Sequence, residues 1–192
     1  MNDFNLYFEI GFRHIADLKG YDHILFVMAL CLRYEFTDWR KLLILVTAFT
    51  IGHSITLALS VFNLVSYSVK WIEFLIPVTI VLTTISNVFV KKFVFKSKFP
   101  LIYFLALFFG LVHGLGFSNY LKSLLGNDHS VVWQLLAFNV GLEAGQLIIV
   151  LCVLLISLVF TRILRCSRRE YILYFSGGIF AVALQMAIER IP

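Results

Sequence analysis

Six long apolar runs, separated by clusters of charged residues, dominate the chain: about 21–36, 40–63, 69–90, 99–118, 130–163 and 171–190. A bilayer core about 30 Å thick takes roughly 20 residues of helix to cross. Charged residues make up 14% of the 192, against about 25% in an ordinary soluble domain. The sequence therefore predicts an all-α integral membrane protein, a single domain over 1–192 with about six spans. The first run is short for a span, so it either tilts in a thin region or is extended by its neighbours. The fifth is longer than a span needs. Residues 4–18 form a short amphipathic segment, expected to lie on or dip into the membrane surface. Pro77 falls inside the third run, where membrane helices tolerate a kink. Gly126, Asn127 and Asp128 mark a turn before the fifth.

The net charge of +5 would suggest nucleic acid in a soluble protein. Here the basic residues lie between apolar runs, so they act as topology signals, and no nucleic-acid partner is expected. Arg33, Arg40 and Lys41 follow the first run, and Lys91, Lys92, Lys96 and Lys98 follow the third. Arg162, Arg165, Arg168 and Arg169 follow the fifth. Arg13, Lys19, Lys70, Lys122 and Arg190 are spread over the other side. The bias places the odd-numbered loops in the cytoplasm and both termini outside, in a membrane of the bacterial inner type. The N-terminus has no basic region and no small-residue cleavage site, so no removable signal peptide is expected. Cys31, Cys152 and Cys166 form no CxxC pair, so neither a disulfide framework nor a thiolate site is indicated.

Ionisable side chains inside a bilayer are expensive and tend to face the bundle interior. The second run holds His53, flanked by Thr50 and Ser54, and the fourth holds His113 between glycines. The fifth holds Asn139, Glu143 and Gln146, spaced to share one helix stripe. Asp22 and His23 open the first run, and His14 lies just before it. At about 1.5 Å of rise per residue, His53 and His113 lie roughly 18 and 21 Å from the cytoplasmic ends of their helices. Asn139 lies roughly 14 Å below the outer end of its own. These levels nearly coincide, with Asp22, His23 and His14 at the outer rim and Glu143 a turn deeper. Four of the five histidines can therefore meet in the outer half of the membrane. Imidazole with carboxylate suits Zn²⁺, Ni²⁺, Co²⁺ or Fe²⁺, whereas an oxygen-only site suits Mg²⁺ or Ca²⁺. Asp22 and Glu143 either bind metal or hold a histidine N–H in place.

Each residue also has a structural reading. A single membrane histidine commonly serves as an interhelical hydrogen-bond donor. Asp22 at a helix start is a natural N-cap. His129 follows a turn and is expected in solvent, as are Glu73 and Glu189 near outer helix ends. The glycines beside His113 allow close helix packing. Thr79, Thr83 and Asn87 suit bonds to backbone carbonyls or neighbouring helices. Coincidence of depth argues against this account for the histidines, and a carboxylate near mid-membrane, Glu143, needs a partner or a proton.

There is also an internal echo: Ala48-Phe49-Thr50-Ile51-Gly52 is similar to Ala137-Phe138-Asn139-Val140-Gly141. With three spans per half those helices run antiparallel, the pattern of an inverted repeat in secondary transporters. Five small and apolar residues also match by chance.

Several segments together resemble the HupE/UreJ family: GFRHI at 11–15, GYDHILF at 20–26, TAFTIGHSITL at 47–57, FGLVHGLGF at 109–117 and FNVGLEAGQL at 138–147. The resemblance covers nearly the whole chain. Members of that family are associated with hydrogenase and urease gene clusters and are regarded as nickel or cobalt permeases. The resemblance thus implies transition-metal handling, and it carries over to His14, Asp22, His23, His53, His113 and Glu143. Many members have an N-terminal extracytoplasmic extension or signal sequence that is not seen in this chain.

Three functions compete. The first is a secondary permease for divalent nickel or cobalt, capturing the ion in the outer half and passing it toward Glu143. Nothing resembles a P-loop, so ATP would not power it within this chain. The second is a membrane-embedded zinc-type hydrolase acting on a lipid or lipid-linked substrate. There the metal would activate water, with Glu143 or Asp22 as base; Ser54 is a weaker candidate nucleophile. The third is an assembly partner for other membrane proteins, which leaves the clustered ionisable residues unexplained.

Overall fold

Backbone amides held away from water must be paired within their own segment, which in a chain this apolar favours helices. The computed structural model describes residues 3–18, 20–89, 101–125 and 131–192. Among them are seven α-helices and no strand: α1 Asp3–Ile15, α2 Asp22–Cys31, α3 Trp39–Val61, α4 Val69–Phe89, α5 Leu101–Leu125, α6 Val131–Leu158 and α7 Arg168–Glu189. Lys19, the basic stretch at Lys91, Lys92, Lys96 and Lys98, the turn at Gly126, Asn127 and Asp128, and His129 lie outside the described residues.

Five helical stretches are long and apolar enough to cross a membrane: Phe36–Val61, Val69–Phe89, Ile102–Leu124, Val131–Ile163 and Arg168–Glu189. The protein is thus a multi-pass membrane protein. The first apolar run differs from a full span, because α2 has only ten residues, about 15 Å of helix. The segment before it does not lie flat on a surface. Helix α1 packs along α6, and its Tyr7 hydroxyl reaches the Leu124 carbonyl at the end of α5, 3.3 Å away. At the other end of the bundle, Arg168 donates to the carbonyls of Leu32 (3.0 Å) and Tyr34, just past α2. The two short helices meet where His14 and His23 lie, with ring centroids 4.6 Å apart. Together, α1 and α2 traverse the bundle as one interrupted helix.

Helix ends follow local chemistry. Helix α7 begins at Arg168, three residues before its apolar run, because Ser167 and Glu170 close a capping box. Helix α3 ends where Asn63 takes φ 56°, and the Leu64 N–H bonds to the Leu59 carbonyl at 2.9 Å. Helix α5 runs to Leu125, beyond the apolar run, because the hydropathy boundary marks lipid rather than the last helical residue. In α4, Thr79 and Thr83 donate to backbone carbonyls one turn back, and Asn87 Nδ2 donates to the Ala29 carbonyl at 2.8 Å.

Packing rests on two glycine seams. In the first, Gly52 of α3 lies against the backbone at Leu107 and Leu111, while Gly110 and Gly114 of α5 lie against the carbonyls of Phe49 and His53. In the second, Gly11 of α1 lies against the backbone at Phe138 and Leu142, while Gly141 and Gly145 of α6 lie against Phe8 and Phe12. Contacts advance together along both chains in each seam, so the paired helices run in the same direction. Association in lipid depends on such close packing, since lipid tails are as apolar as the helices themselves. The outward faces stay apolar: Ile51, Ile55, Leu151 and Leu155 are about half exposed, as a lipid-facing surface requires.

A Cβ at Gly110 or Gly141 would overlap a facing carbonyl, whereas one at Gly178 meets nothing within 4 Å. Gly110→Ala and Gly141→Ala are each expected to lose about 1–3 kcal/mol by overpacking. Gly178→Ala should be neutral or gain up to about 1 kcal/mol from helix propensity. Thermal unfolding of the detergent-solubilised variants measures the contrast.

Candidate metal centre

Four elements deliver four imidazoles to one place. His14 stands in the last turn of α1, His23 in the first turn of α2, His53 in α3 and His113 in α5. One ring nitrogen from each of His14, His23 and His53 lies within 4.8 Å of the other two. His113 stands beside this trio, its ring centroid 5.2 Å from that of His23. His53 and His113 are fully buried and His23 nearly so. The walls are aromatic. Phe117 lies 3.7 Å from the His14 ring and stacks with Phe138, while Phe26 and Phe49 lie 5.0 and 5.3 Å from the His113 ring.

Two hydrogen bonds fix which nitrogen each ring presents. A carbonyl only accepts, so the 2.8 Å contact from His113 Nδ1 to the Phe109 oxygen puts the proton on Nδ1 and leaves Nε2 with its lone pair. The carboxylate of Asp22 does the same for His23, with Oδ1 3.0 Å from Nδ1. In both rings the bare Nε2 is the atom left for the centre. The Nε2 atoms of His14, His23 and His113 and both ring nitrogens of His53 are buried without a hydrogen-bond partner among the described residues. Buried polar atoms rarely stay unpaired, and an unpaired ring nitrogen with a free lone pair is a metal ligand in waiting. Metal–nitrogen bonds near 2.0–2.1 Å put two ligands of one ion up to about 4 Å apart, so a small inward shift of the rings suffices.

Asp22 does not cap its helix: Tyr21 holds the cap position and makes no side-chain bond there. The Asp22 carboxylate instead accepts from the His23 backbone N–H at 2.9 Å, and it lies 3.5 Å from Arg190 Nη1 at the end of α7. It stands behind His23. Glu143 is half-buried, apart from the histidine group, and accepts from Thr47 Oγ1 at 2.7 Å. One turn along, Gln146 accepts from Thr50 at 2.8 Å. Asn139 Nδ2 turns back onto the Leu135 carbonyl, and Ser54 donates to the Thr50 carbonyl at 2.6 Å. The polar stripe of α6 thus faces α3, while the glycine face of the same helix carries α1.

A cavity of about 1140 Å³ leads to the centre. His14, His23 and His113 line it, with Asp22, Tyr120 and Arg190 around them, and His53 stands behind. Leu18 and Tyr120 at its edge are exposed, so it opens at the end of the bundle that holds Arg190. Toward the opposite end, Phe26, Phe49, Phe109, Ile172 and Tyr171 belong to one buried apolar cluster.

The family model described as HupE / UreJ protein matches residues 1–190. The chain belongs to the HupE/UreJ family. No curated protein and no solved structure matches it. Four of the five segments that carried the resemblance to HupE/UreJ proteins supply the four histidines and Asp22. Four contributors were not singled out from sequence. Arg190 gives no sequence signal beyond its charge, because only the fold brings it to Asp22. Phe117 and Phe138 look like ordinary apolar positions. Thr47 was discoverable, since its spacing to Thr50 equals that of Glu143 to Gln146.

If these histidines of the HupE/UreJ protein form a metal site, His53→Ala should abolish Ni²⁺ binding, and Asp22→Asn should weaken it about 10–100-fold through the orientation of His23. Ser54→Ala, whose hydroxyl bonds only its own helix, should leave affinity unchanged. Equilibrium dialysis of purified protein against Ni²⁺ measures all three.

Proposed function

We propose that this protein is a secondary permease for a divalent transition metal, nickel or cobalt, with His14, His23, His53 and His113 as its binding site. The observation that carries this reading is the group of unpartnered imidazole nitrogens at the floor of a cavity open toward one end of the bundle and shut by apolar packing toward the other. Membership of the HupE/UreJ family supports it, through the association of that family with nickel and cobalt uptake. Imidazole nitrogens are borderline ligands that suit Ni²⁺, Co²⁺ and Zn²⁺ better than Mg²⁺ or Ca²⁺. Asp22 is the positioning carboxylate of His23. Glu143 lies on the α3–α6 face, as an oxygen station on the ion's way.

Orientation in this reading follows the basic residues. Arg33, Lys41 and Arg168 gather at the end of the bundle away from the cavity, which makes that end cytoplasmic by the positive-inside rule. The cavity and both termini then face outward from a cytoplasmic membrane of bacterial type.

A zinc-type hydrolase built on the same histidines would need a carboxylate free to act as base. Asp22 is engaged by His23 and Arg190, and Glu143 by Thr47, which favours transport. The deciding experiment is uptake of radioactive nickel and cobalt into proteoliposomes. Saturable uptake by the wild type and none by His53→Ala/His113→Ala is the expected result. Uptake retained by a well-folded double variant would remove the histidines from the transport site. No uptake, with stoichiometric metal held through dialysis, would move the assignment to the hydrolase.

A further inference from the structure

The two glycine seams are the same contact made twice. In the α1–α6 seam, Gly11 meets the Phe138 carbonyl and the Leu142 amide nitrogen, and Gly141 meets the Phe8 carbonyl. In the α3–α5 seam, Gly110 meets the Phe49 carbonyl and the His53 amide nitrogen, and Gly52 meets the Leu107 carbonyl. One constant shift along the chain carries Phe8, Gly11 and His14 onto Leu107, Gly110 and His113. A second carries Phe49, Gly52 and His53 onto Phe138, Gly141 and Leu142. The second shift is also the one that aligns Ala48-Phe49-Thr50-Ile51-Gly52 with Ala137-Phe138-Asn139-Val140-Gly141, and the first aligns two Gly-x-x-His segments. Backbone contact and sequence agree on one correspondence: α1 with α5, and α3 with α6. Helices α4 and α7 complete the two sets and pack on each other.

The sets run in opposite directions. Helix α3 is parallel to α5, and α1 to α6, while membrane-long α5 and α6 are joined by only the short stretch 126–130 and so cross in opposite senses. The interrupted α1–α2 pair answers to the whole of α5. His14 ends α1 where His113 stands midway along α5, and α2 supplies the remaining half. The break falls at the histidines, as in carriers whose sites are built on discontinuous helices.

The correspondence also makes the two halves of the pathway comparable. The cavity is bounded by the second half of α5 (Phe117, Tyr120), by α1, and by the start of α4 at Glu73. Its counterpart is bounded by α2, the first half of α5 and the start of α7. In this structure the counterpart is filled by Phe26, Ala106, Phe109 and Ile172. One half-pathway is open and its equivalent is shut.

Resting on the permease reading, we propose that the chain is a pair of interlocked inverted repeats, α1–α2/α3/α4 and α5/α6/α7, that exchange these two conformations about the histidines. When the cavity beside Tyr120 closes, the packing of Phe26, Phe109 and Ile172 opens to the opposite face, and the ion is released there.

The test uses full-length protein in proteoliposomes, with Cys31, Cys152 and Cys166 replaced by alanine and single cysteines introduced as Tyr120→Cys or Ile172→Cys. A membrane-impermeant maleimide is applied from each side, with and without Ni²⁺, and nickel uptake is measured on the same preparations. Tyr120→Cys should react only from the face of Arg190, and Ile172→Cys only from the opposite face. Ni²⁺ should shift the two rates in opposite directions by several-fold. If Ile172→Cys does not fold, Phe109→Cys replaces it. A preparation that takes up nickel while the α7 or α5 cysteine stays unreactive from the opposite face overturns the exchange. Rates at the two positions that rise or fall together overturn it as well. Reciprocal labelling without uptake by the wild type would leave the exchange standing and remove the permease reading.

Discussion

Backbone lying directly on backbone is the contact on which the structure depends. In lipid, helices gain little from hiding apolar surface, because the tails offer the same environment. They associate where they can approach closely, and only glycine lets a carbonyl of one helix rest against the Cα of another. Gly110 and Gly114 bring α5 down onto the carbonyls of Phe49 and His53, which sets His113 near His53. Gly141 and Gly145 hold α1 against α6 and so fix the height of His14. The histidine cluster is thus a consequence of the seams, since each places a histidine-bearing helix at backbone contact with its partner.

The break between α1 and α2 is the second requirement. A continuous helix would set His14 and His23, nine residues apart, about two and a half turns from each other and on opposite faces. Breaking it after Ile15 and restarting at Asp22 lets two turns from two helices aim at the same point. Such a break exposes carbonyls and amides at depth, where each unpaired group costs several kcal/mol. At the break, the Asp22 carboxylate takes the His23 amide; at the far end of α2, Arg168 takes the carbonyls of Leu32 and Tyr34 and Asn87 takes that of Ala29. The same Asp22 carboxylate then orients the His23 ring, so the repair of a helix end also shapes the centre.

Depth was legible because a helix converts sequence number into height. Counting residues from helix ends placed His53 and His113 at one level, with His14 and His23 at its rim, and the structure groups these four rings. Azimuth was not legible. Asn139, Glu143 and Gln146 share a stripe by spacing, yet which neighbour that stripe faces depends on how α6 is rotated by its glycine contact with α1. Glu143 therefore meets Thr47 rather than an imidazole. Asp22 was open between ligand, support and cap, because all three begin with a carboxylate at a helix start. In the structure its carboxylate meets His23 and Arg190, and Arg190 is remote in sequence.

Membrane class and helical architecture follow from the sequence alone, as do five of the six apolar runs and the common depth of the four histidines. These follow from local quantities: run length against bilayer thickness, charge placement, and one fixed rise per residue. Tertiary structure alone decided that the first apolar run is half a span completed by α1, that the carboxylates stand beside the centre, and that one side of it is open while the other is packed. Those outcomes depend on how helices rotate and cross, which is set by contacts between residues far apart in the chain. The short echo between residues 48–52 and 137–141 became informative only once each segment was seen against its partner helix, where the same atoms meet twice.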